Sequence, residues 1–198
     1  MRKIVLASTS PYRQQLLKQL QIPFVTATPD FTEVIDPHVA PALLVRHLAA
    51  GKAQSLADQY PDAVIIGSDQ LFVDQRGRTL GKAGDEHGAF NQLRQMAGRT
   101  HCFYTGLALL DCRTATMQTD HATFSVTLRE LTDEQIKDYL KRERPFDCAG
   151  SFKVEGLGIA LIDKMAGEDY NVLIGLPLIK LVTMLEQVGI HVLKNSSK

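Results

Sequence analysis

The chain has 198 residues, of which 44% are hydrophobic and 22% are charged, and its 22 basic residues balance its 22 acidic ones. This length and composition suit a single globular domain and exclude a disordered, collagen-like or coiled-coil chain. A net charge of zero argues against a nucleic-acid duplex as the main partner, but it permits a local basic pocket for one anionic nucleotide.

The cysteines and the first residues predict a cytoplasmic protein. Cys102, Cys112 and Cys148 are widely spaced, so the sequence predicts reduced thiols and neither a disulfide framework nor a structural zinc site. The apolar run from Ile4 has four residues before Ser8, which is too short for the core of a signal peptide. No run is long enough to span a membrane, so we expect no membrane partner.

Strands and helices alternate along the chain, which predicts an α/β fold. Hydrophobic periodicity and capping residues predict helices over 11–20 and 41–60, between 85 and 98, from 132 to about 141, and between 177 and 189. Apolar or alternating runs predict strands at 4–7, 24–27, 63–67, 104–110 and 119–128, and further short strands around Ser151 and Ile159.

The segment from Ser8 to Arg13 lies where the first strand should end and the first helix begin. Free backbone N–H groups at a helix N-terminus favour an anion, and the hydroxyls of Ser8 and Ser10 add donors. Arg13 can contact phosphate oxygens through two nitrogens. Taken alone, however, the motif is better explained as a plain helix cap with a solvated arginine.

Asp69, in Gly67-Ser68-Asp69-Gln70, follows a buried strand and is therefore expected at its carboxyl end. Open α/β sheets bind ligands at such ends, where an aspartate can hold a metal ion or activate a water molecule. A turn aspartate without a catalytic role explains this position about as well.

Other polar positions are weaker signals when each is taken alone. Glu33, Lys52 and Lys82 are charged residues of the kind more often found on a surface than in a site. The glycine-flanked segment 150–158 is compatible with a hairpin or with the wall of a base pocket. The sequence lacks metal-binding histidine spacing and the glycine-rich loops of P-loop and dinucleotide-binding proteins.

The order of these motifs resembles that of the Maf-like nucleotide pyrophosphatases over nearly the full length. The matching positions are Ser8, Ser10, Arg13, Glu33, Lys52, Gly67 to Gln70, Gly81-Lys82, Gly150 to Gly158 and Gly175 to Leu178. Within that family the chain looks like the 7-methyl-GTP pyrophosphatase branch, because Glu155 stands where the dTTP/UTP branch usually has glutamine. It departs from the usual pattern at Ala83, often proline, and at Tyr12, often tryptophan.

The resemblance implies a two-lobed α/β fold of the Maf/ITPase-like type, with an elongated, curved mixed sheet, flanking helices and a central cleft. It implies one domain over 1–198 with the active site in the cleft between its two lobes. It also implies a divalent cation (magnesium, manganese or cobalt), a nucleoside triphosphate substrate and a possible homodimer.

The resemblance further implies the role of each site residue. Asp69 would be the catalytic acid/base residue, and Glu33 and Asp69 would hold the metal ion. The phosphate-binding residues would be Ser8, Ser10, Arg13, Lys52 and Lys82, and the residues that set base preference would be Tyr12, Gln70 and Glu155. A pyrophosphatase for another nucleotide and a nucleotide-binding regulator of septum formation are the alternatives, and Asp69 beside the lysines and Glu33 favours an enzyme.

Overall fold

The computed structural model of the protein describes residues 2–193. Its strands are β1 (Ile4–Ala7), β2 (Val25–Ala27), β3 (Val64–Val73), β4 (Thr100–Asp111), β5 (Thr116–Leu128) and β6 (Ile162–Ala166). Its helices are α1 (Pro11–Lys18), α2 (Pro41–Gln54), α3 (Glu86–Met96), α4 (Asp133–Glu143), α5 (Asn171–Ile174) and α6 (Leu178–Gln187), with a 3-10 helix at Leu157–Leu161.

The strands form one six-stranded sheet in the order β2-β1-β3-β4-β5-β6. The sheet is mixed, because β1 pairs in parallel with β2 and β3, whereas β5 and β6 are antiparallel. This arrangement confirms the predicted α/β class with a mixed sheet. Within residues 2–193 no helix combines the length and apolar character needed to cross a membrane.

Two compact units divide the chain, and the first contains residues up to Gln70, residues 104–122 and residues from Asp169 onward. Its core covers both faces of β1. Ile4 and Leu6 belong to an apolar cluster with α1 and α6, whereas Val5 belongs to a cluster with α2. Because both faces of β1 are buried, its sequence is a continuous apolar run and not an alternating one.

Side-chain caps begin α1, α3 and α4, as the sequence predicts. The Ser10 hydroxyl caps α1, the Asp85 carboxylate accepts from the Gly88 N–H at 2.7 Å, and Thr132 and Gln135 form a capping box at α4. The predicted extension of the second helix to residue 60 is wrong, because α2 ends at Gln54 and turns follow.

Helix α2 lies directly against the backbones of β3 and β4. A side chain at Gly67 would clash with the carbonyl oxygen of Ala49, and one at Gly106 would clash with that of Val45. These two glycines therefore permit the close approach that buries the inner face of α2, including Lys52.

The second unit contains Leu71–Phe103 and Thr123–Glu168. Its core includes an aromatic cluster in which the rings of Phe72 and Phe103 lie 4.2 Å apart and Phe152 packs edge-on against both. Whether the two units form the predicted active-site cleft stays a prediction.

The short strands predicted around Ser151 and Ile159 are wrong. Ser151 lies in a turn with a φ of 56°, and Ile159 lies in the 3-10 helix. The pairing strand is β6, whose Ile162 is in register with Leu128 of β5. The glycine-rich run 150–158 favours turns over strand pairing, so the strand begins only after it.

Candidate functional site

Asp69 lies inside strand β3, so the expectation that the strand ends before Ser68 is wrong. The reason is that β3 runs on to Val73, while its parallel neighbour β1 ends at Ala7, one residue after the pair Leu6–Ile66. The strand therefore needs no turn at Asp69, and this carboxylate lies beyond the last residue of β1.

The side chains of Glu33, Lys52 and Asp69 converge. The Lys52 ammonium nitrogen lies 2.6 Å from the Glu33 carboxylate and donates a hydrogen bond to Asp69. The side chains of Lys52 and Asp69 are both 9% exposed, whereas that of Glu33 is 47% exposed. A buried ammonium is costly unless it is paired, so the two carboxylates hold Lys52 at this position.

The surroundings of Asp69 change its acid–base properties. Burial raises the pKa of Asp69, with Glu33 acting in the same direction, while Lys52 and Arg13 act in the opposite direction. Burial also lowers the pKa of Arg13, opposed by the negative charges of Asp69 and Glu33. A carboxylate with a raised pKa is a stronger base, which suits it to take a proton from water.

The segment from Ser8 to Arg13 forms the turn and cap that the sequence predicts. The Ser8 hydroxyl accepts the Ser10 N–H at 3.1 Å, and the Ser10 hydroxyl accepts the Arg13 N–H at 3.4 Å. Each hydroxyl accepts in these bonds and keeps its own proton as a donor. Arg13 donates through Nε to the Gly175 carbonyl at 2.9 Å, which fixes its side chain.

Gln70 and Thr105 both bind the backbone of α5. The Gln70 amide nitrogen donates to the Val172 carbonyl at 2.7 Å and contacts the Thr105 hydroxyl at 2.9 Å, and that hydroxyl donates to the same carbonyl at 2.9 Å. The amide oxygen of Gln70 is therefore the end of this side chain that a ligand would contact. A role for Gln70 in base preference stays a prediction.

Ser68, Thr105 and Asp169 are three supporting residues that sequence reasoning missed. The Ser68 hydroxyl is buried within 2.8 Å of the Gly106 carbonyl and 3.0 Å of the Gly175 carbonyl. The Asp169 carboxylate accepts from the backbone N–H groups of Asn171 at 2.9 Å and Ile179 at 3.0 Å. The sequence offers a signal for Asp169, since aspartate side chains commonly accept the backbone N–H two residues on in an Asx turn.

Lys82 and Glu155 lie in the second unit, and both are exposed. The backbone of Lys82 forms an isolated antiparallel bridge with Ala149. The segment around Glu155 is held against α4, because Glu143 accepts the Leu157 N–H at 2.8 Å. Tyr12, in the first unit, is 39% exposed. The approach of Lys82 and Glu155 to Asp69 stays a prediction.

Glu33 and Asp69 are the predicted metal ligands, and their chemistry fits a magnesium-like ion. Within residues 2–193 no group of three or more histidine, cysteine or acidic side chains is placed to hold a metal by itself. Magnesium sites that act on nucleotides commonly use one or two carboxylates, with phosphate and water oxygens completing the shell. The two carboxylates of Glu33 and Asp69, beside the predicted phosphate-binding residues, match that mode.

Known proteins with similar sequences match nearly the whole chain. A 7-methyl-GTP pyrophosphatase from Syntrophotalea carbinolica is 60% identical over 193 residues, which cover 98% of each chain. Proteins of the same name from Polaromonas sp. and Vibrio parahaemolyticus are 47% and 46% identical; they cover 96% of this chain, and the matches span 86% and 98% of those proteins.

A solved structure of a nucleoside-triphosphatase / dITP/XTP pyrophosphatase from Mycobacterium abscessus is 16% identical to this chain. It has a TM-score of 0.42, and the match covers 72% of this chain and 95% of that one. This similarity is too low to support a conclusion. The sequence model described as Maf-like protein matches residues 3–188. The chain therefore belongs to the Maf-like protein family.

Proposed function

We propose that the protein hydrolyses a nucleoside triphosphate between its α- and β-phosphates, releasing the nucleoside monophosphate and pyrophosphate. The observation that carries the proposal is the buried Asp69 carboxylate, which has a raised pKa and is ion-paired with Lys52. The names of relatives up to 60% identical over nearly the full chain support the same reaction.

The charges around Asp69 suit a substrate with several negative charges. Arg13 and Lys52, joined by Lys82 from the second unit, would bind phosphate oxygens and offset the charge that develops in the transition state. The hydroxyls of Ser8 and Ser10 would add hydrogen bonds. An ammonium group has three donors, so Lys52 can contact a phosphate while it keeps a bond to Asp69.

Asp69 would act as the general base. It takes a proton from a water molecule whose oxygen attacks the α-phosphorus, and the bond from that phosphorus to the bridging oxygen breaks as pyrophosphate leaves. A divalent cation held by Glu33 and Asp69, directly or through water, would supply further neutralisation of phosphate charge.

The substrate we propose is 7-methyl-GTP. Methylation at N7 places a positive charge on the guanine ring, and the Glu155 carboxylate can oppose that charge while it accepts from the ring N–H and amino groups. The ring of Tyr12 can stack on the base with a cation–π contribution, and Gln70 offers an amide oxygen. A pyrophosphatase for another nucleotide and a regulator of septum formation remain the alternatives, and an acid/base residue is expected only of an enzyme.

The test is a panel of natural and methylated nucleoside triphosphates with magnesium, manganese or cobalt, performed in water enriched in ¹⁸O. We expect pyrophosphate as the first product and the heavy oxygen in the monophosphate, because water attacks the α-phosphorus. Orthophosphate as the first product, or label in pyrophosphate, would contradict the proposal. Manganese binding measured by electron paramagnetic resonance should weaken in Glu33→Gln and Asp69→Asn.

Two further predictions concern the cellular location of the enzyme and its oligomeric state. We expect the enzyme to act in the cytoplasm, and a homodimer is possible. Sedimentation of the purified protein at several concentrations would give the oligomeric state.

A further inference from the structure

The second unit contains an open, arginine-lined cavity of about 620 Å³. Its lining residues are Arg76, Arg78, Asn91, Arg94, Gln95 and Arg99. Every one of these side chains is a hydrogen-bond donor, and four of them carry a positive charge. Pockets of about 300–1,000 Å³ are the size that binds small molecules, so the cavity is large enough for an anionic ligand of nucleotide size.

Two of the four arginines are ion-paired, and the other two have no acidic partner among residues 2–193. Arg78 is paired with Asp74 at 2.7 Å, and Arg94 is paired with Asp133 at 3.4 Å. Throughout the described range 2–193, no ion pair involves the guanidinium group of Arg76 or Arg99. Like charges that converge without partners repel each other, and an anion bound between them relieves that repulsion.

A smaller cavity of about 30 Å³ adjoins the arginine-lined cavity and shares Arg76, Arg78, Gln95 and Arg99 with it. His101 of β4 lines this inner cavity and is 3% exposed. A volume of 10–15 Å³ is about the least that one water molecule needs, so the inner cavity has room for a small polar group.

The tautomer of His101 defines what that polar group must be. Its Nε2 lies 3.1 Å from the Met96 carbonyl oxygen, which can only accept, so Nε2 carries the proton. Burial lowers the pKa of His101, which favours the neutral ring, and Nδ1 is then an acceptor. This buried Nδ1 has no hydrogen-bond partner among residues 2–193. The group that completes it is therefore a donor such as a hydroxyl.

We propose that the arginine-lined cavity binds a phosphate monoester of a sugar, with the phosphate on Arg76 and Arg99 and a sugar hydroxyl donating to Nδ1 of His101. Nucleotides and sugar phosphates share this chemistry. The balanced charge of the chain and the concave shape of the site favour such a small molecule over a nucleic-acid duplex. The site uses none of the residues proposed for hydrolysis.

The imidazole signals of His101 give a local readout. In ¹⁵N-labelled protein, with His101→Gln used for assignment, we would titrate guanosine monophosphate, ribose 5-phosphate, inorganic phosphate and guanosine. The expected result is a saturable shift of the His101 signals with at least one of the two esters, at least about tenfold tighter than inorganic phosphate. A response to both esters identifies a sugar-phosphate site, and a response to the nucleotide alone identifies a nucleotide site.

Arg76→Ala and Arg99→Ala provide the structural test. Both side chains are exposed, and each change should weaken ester binding about tenfold or more, since each removes a charge-assisted contact. Arg113→Ala is the matched control, because Arg113 is half exposed, pairs with Asp62 at 3.7 Å and lies in the first unit. Its affinity should equal that of the wild type.

Three results would overturn the proposal: no saturable shift of His101 with either ester, equal affinity for inorganic phosphate, or unchanged binding in both arginine variants. The readout is binding at His101 and not turnover. Absence of hydrolysis would therefore not contradict ligand binding in this cavity. Likewise, absence of binding at His101 would not contradict the proposed hydrolysis.

Discussion

The carboxylate of Asp69 is ion-paired with the ammonium group of Lys52, and both side chains are 9% exposed. The two groups come from different elements, β3 and α2, and they meet because glycine at position 67 lets the helix approach the strand. Removal of one partner leaves a buried charge with reduced compensation, so a change at Lys52 should alter the titration of Asp69.

Asp69→Asn should lower kcat by at least about 10²-fold, because the amide keeps the shape of the side chain but does not accept a proton from water. Steady-state kinetics with release of pyrophosphate as the signal would measure the loss. Asp62→Asn is the control, since Asp62 is 85% exposed in its side chain and should leave kcat unchanged. Near-normal turnover by Asp69→Asn would exclude this residue as the base.

The pH dependence of kcat/KM should show an acid limb above the ordinary range of an aspartate. Activity requires the ionised carboxylate, so it rises with pH through the pKa of Asp69, and burial raises that pKa. Lys52→Met removes a charge that lowers the pKa of Asp69, so the limb of this variant should move to higher pH. A shift to lower pH would contradict this account.

Each of Arg13→Ala, Lys52→Ala and Lys82→Ala should lower kcat/KM. The expected loss of transition-state stabilisation is about 1.5–3 kcal/mol, the value of one hydrogen bond to a charged group. Lys18→Ala is the matched control, because Lys18 is an exposed residue at the end of α1. Circular dichroism of each variant separates loss of phosphate binding from loss of fold. Wild-type kcat/KM in all three variants would rule out the phosphate-binding set.

Glu155→Gln should reduce kcat/KM for 7-methyl-GTP more than for GTP. The change in the ratio of the two kcat/KM values should correspond to about 1–2 kcal/mol. Both substrates carry the same phosphates, so effects on the phosphate contacts cancel in that ratio. Tyr12→Ala should lower kcat/KM for both, with a somewhat larger loss for the methylated base. A wild type that prefers GTP, or an unchanged ratio in Glu155→Gln, would contradict the proposed contact between Glu155 and the positively charged base.

Gly67→Ala should destabilise the protein by about 1–3 kcal/mol, because the added methyl group meets the backbone carbonyl of Ala49 in α2 and backbone does not move aside easily. Thermal unfolding followed by circular dichroism would measure the change in Tm. At Gly81 an added Cβ would meet no described atom within 4 Å, so Gly81→Ala is the control. Equal Tm values for the two variants would contradict the packing argument.

The sequence predicts most of the fold because its signals are local. Capping residues and apolar periodicity place α1, α3, α4 and α6 within a few residues, and β1 is predicted over its full length. The four-residue helix α5 has no such signal, because one turn is too short to be stable alone and depends on bonds from Gln70 and Thr105.

Site residues could be named from the sequence, but their pairing could not. Nothing local indicates that Glu33 and Asp69 share the ammonium of Lys52, since this contact depends on how α2 packs on the sheet. Likewise, the sequence marks His101 only as a strand residue, and only the structure shows that it lines a cavity and that its buried Nδ1 has no hydrogen-bond partner among residues 2–193.

The bond from Arg13 Nε to the Gly175 carbonyl has a geometric consequence for any anion that Arg13 binds. A guanidinium group is flat, and with Nε engaged its plane is set and only the edge with the two terminal nitrogens can grip a pair of oxygens. Arg13 then restricts the orientation of a bound phosphoryl group as well as attracting its charge. A lysine at position 13 would keep the charge but would accept a phosphate from many directions, so the orientation of the ligand would be lost even where affinity survived.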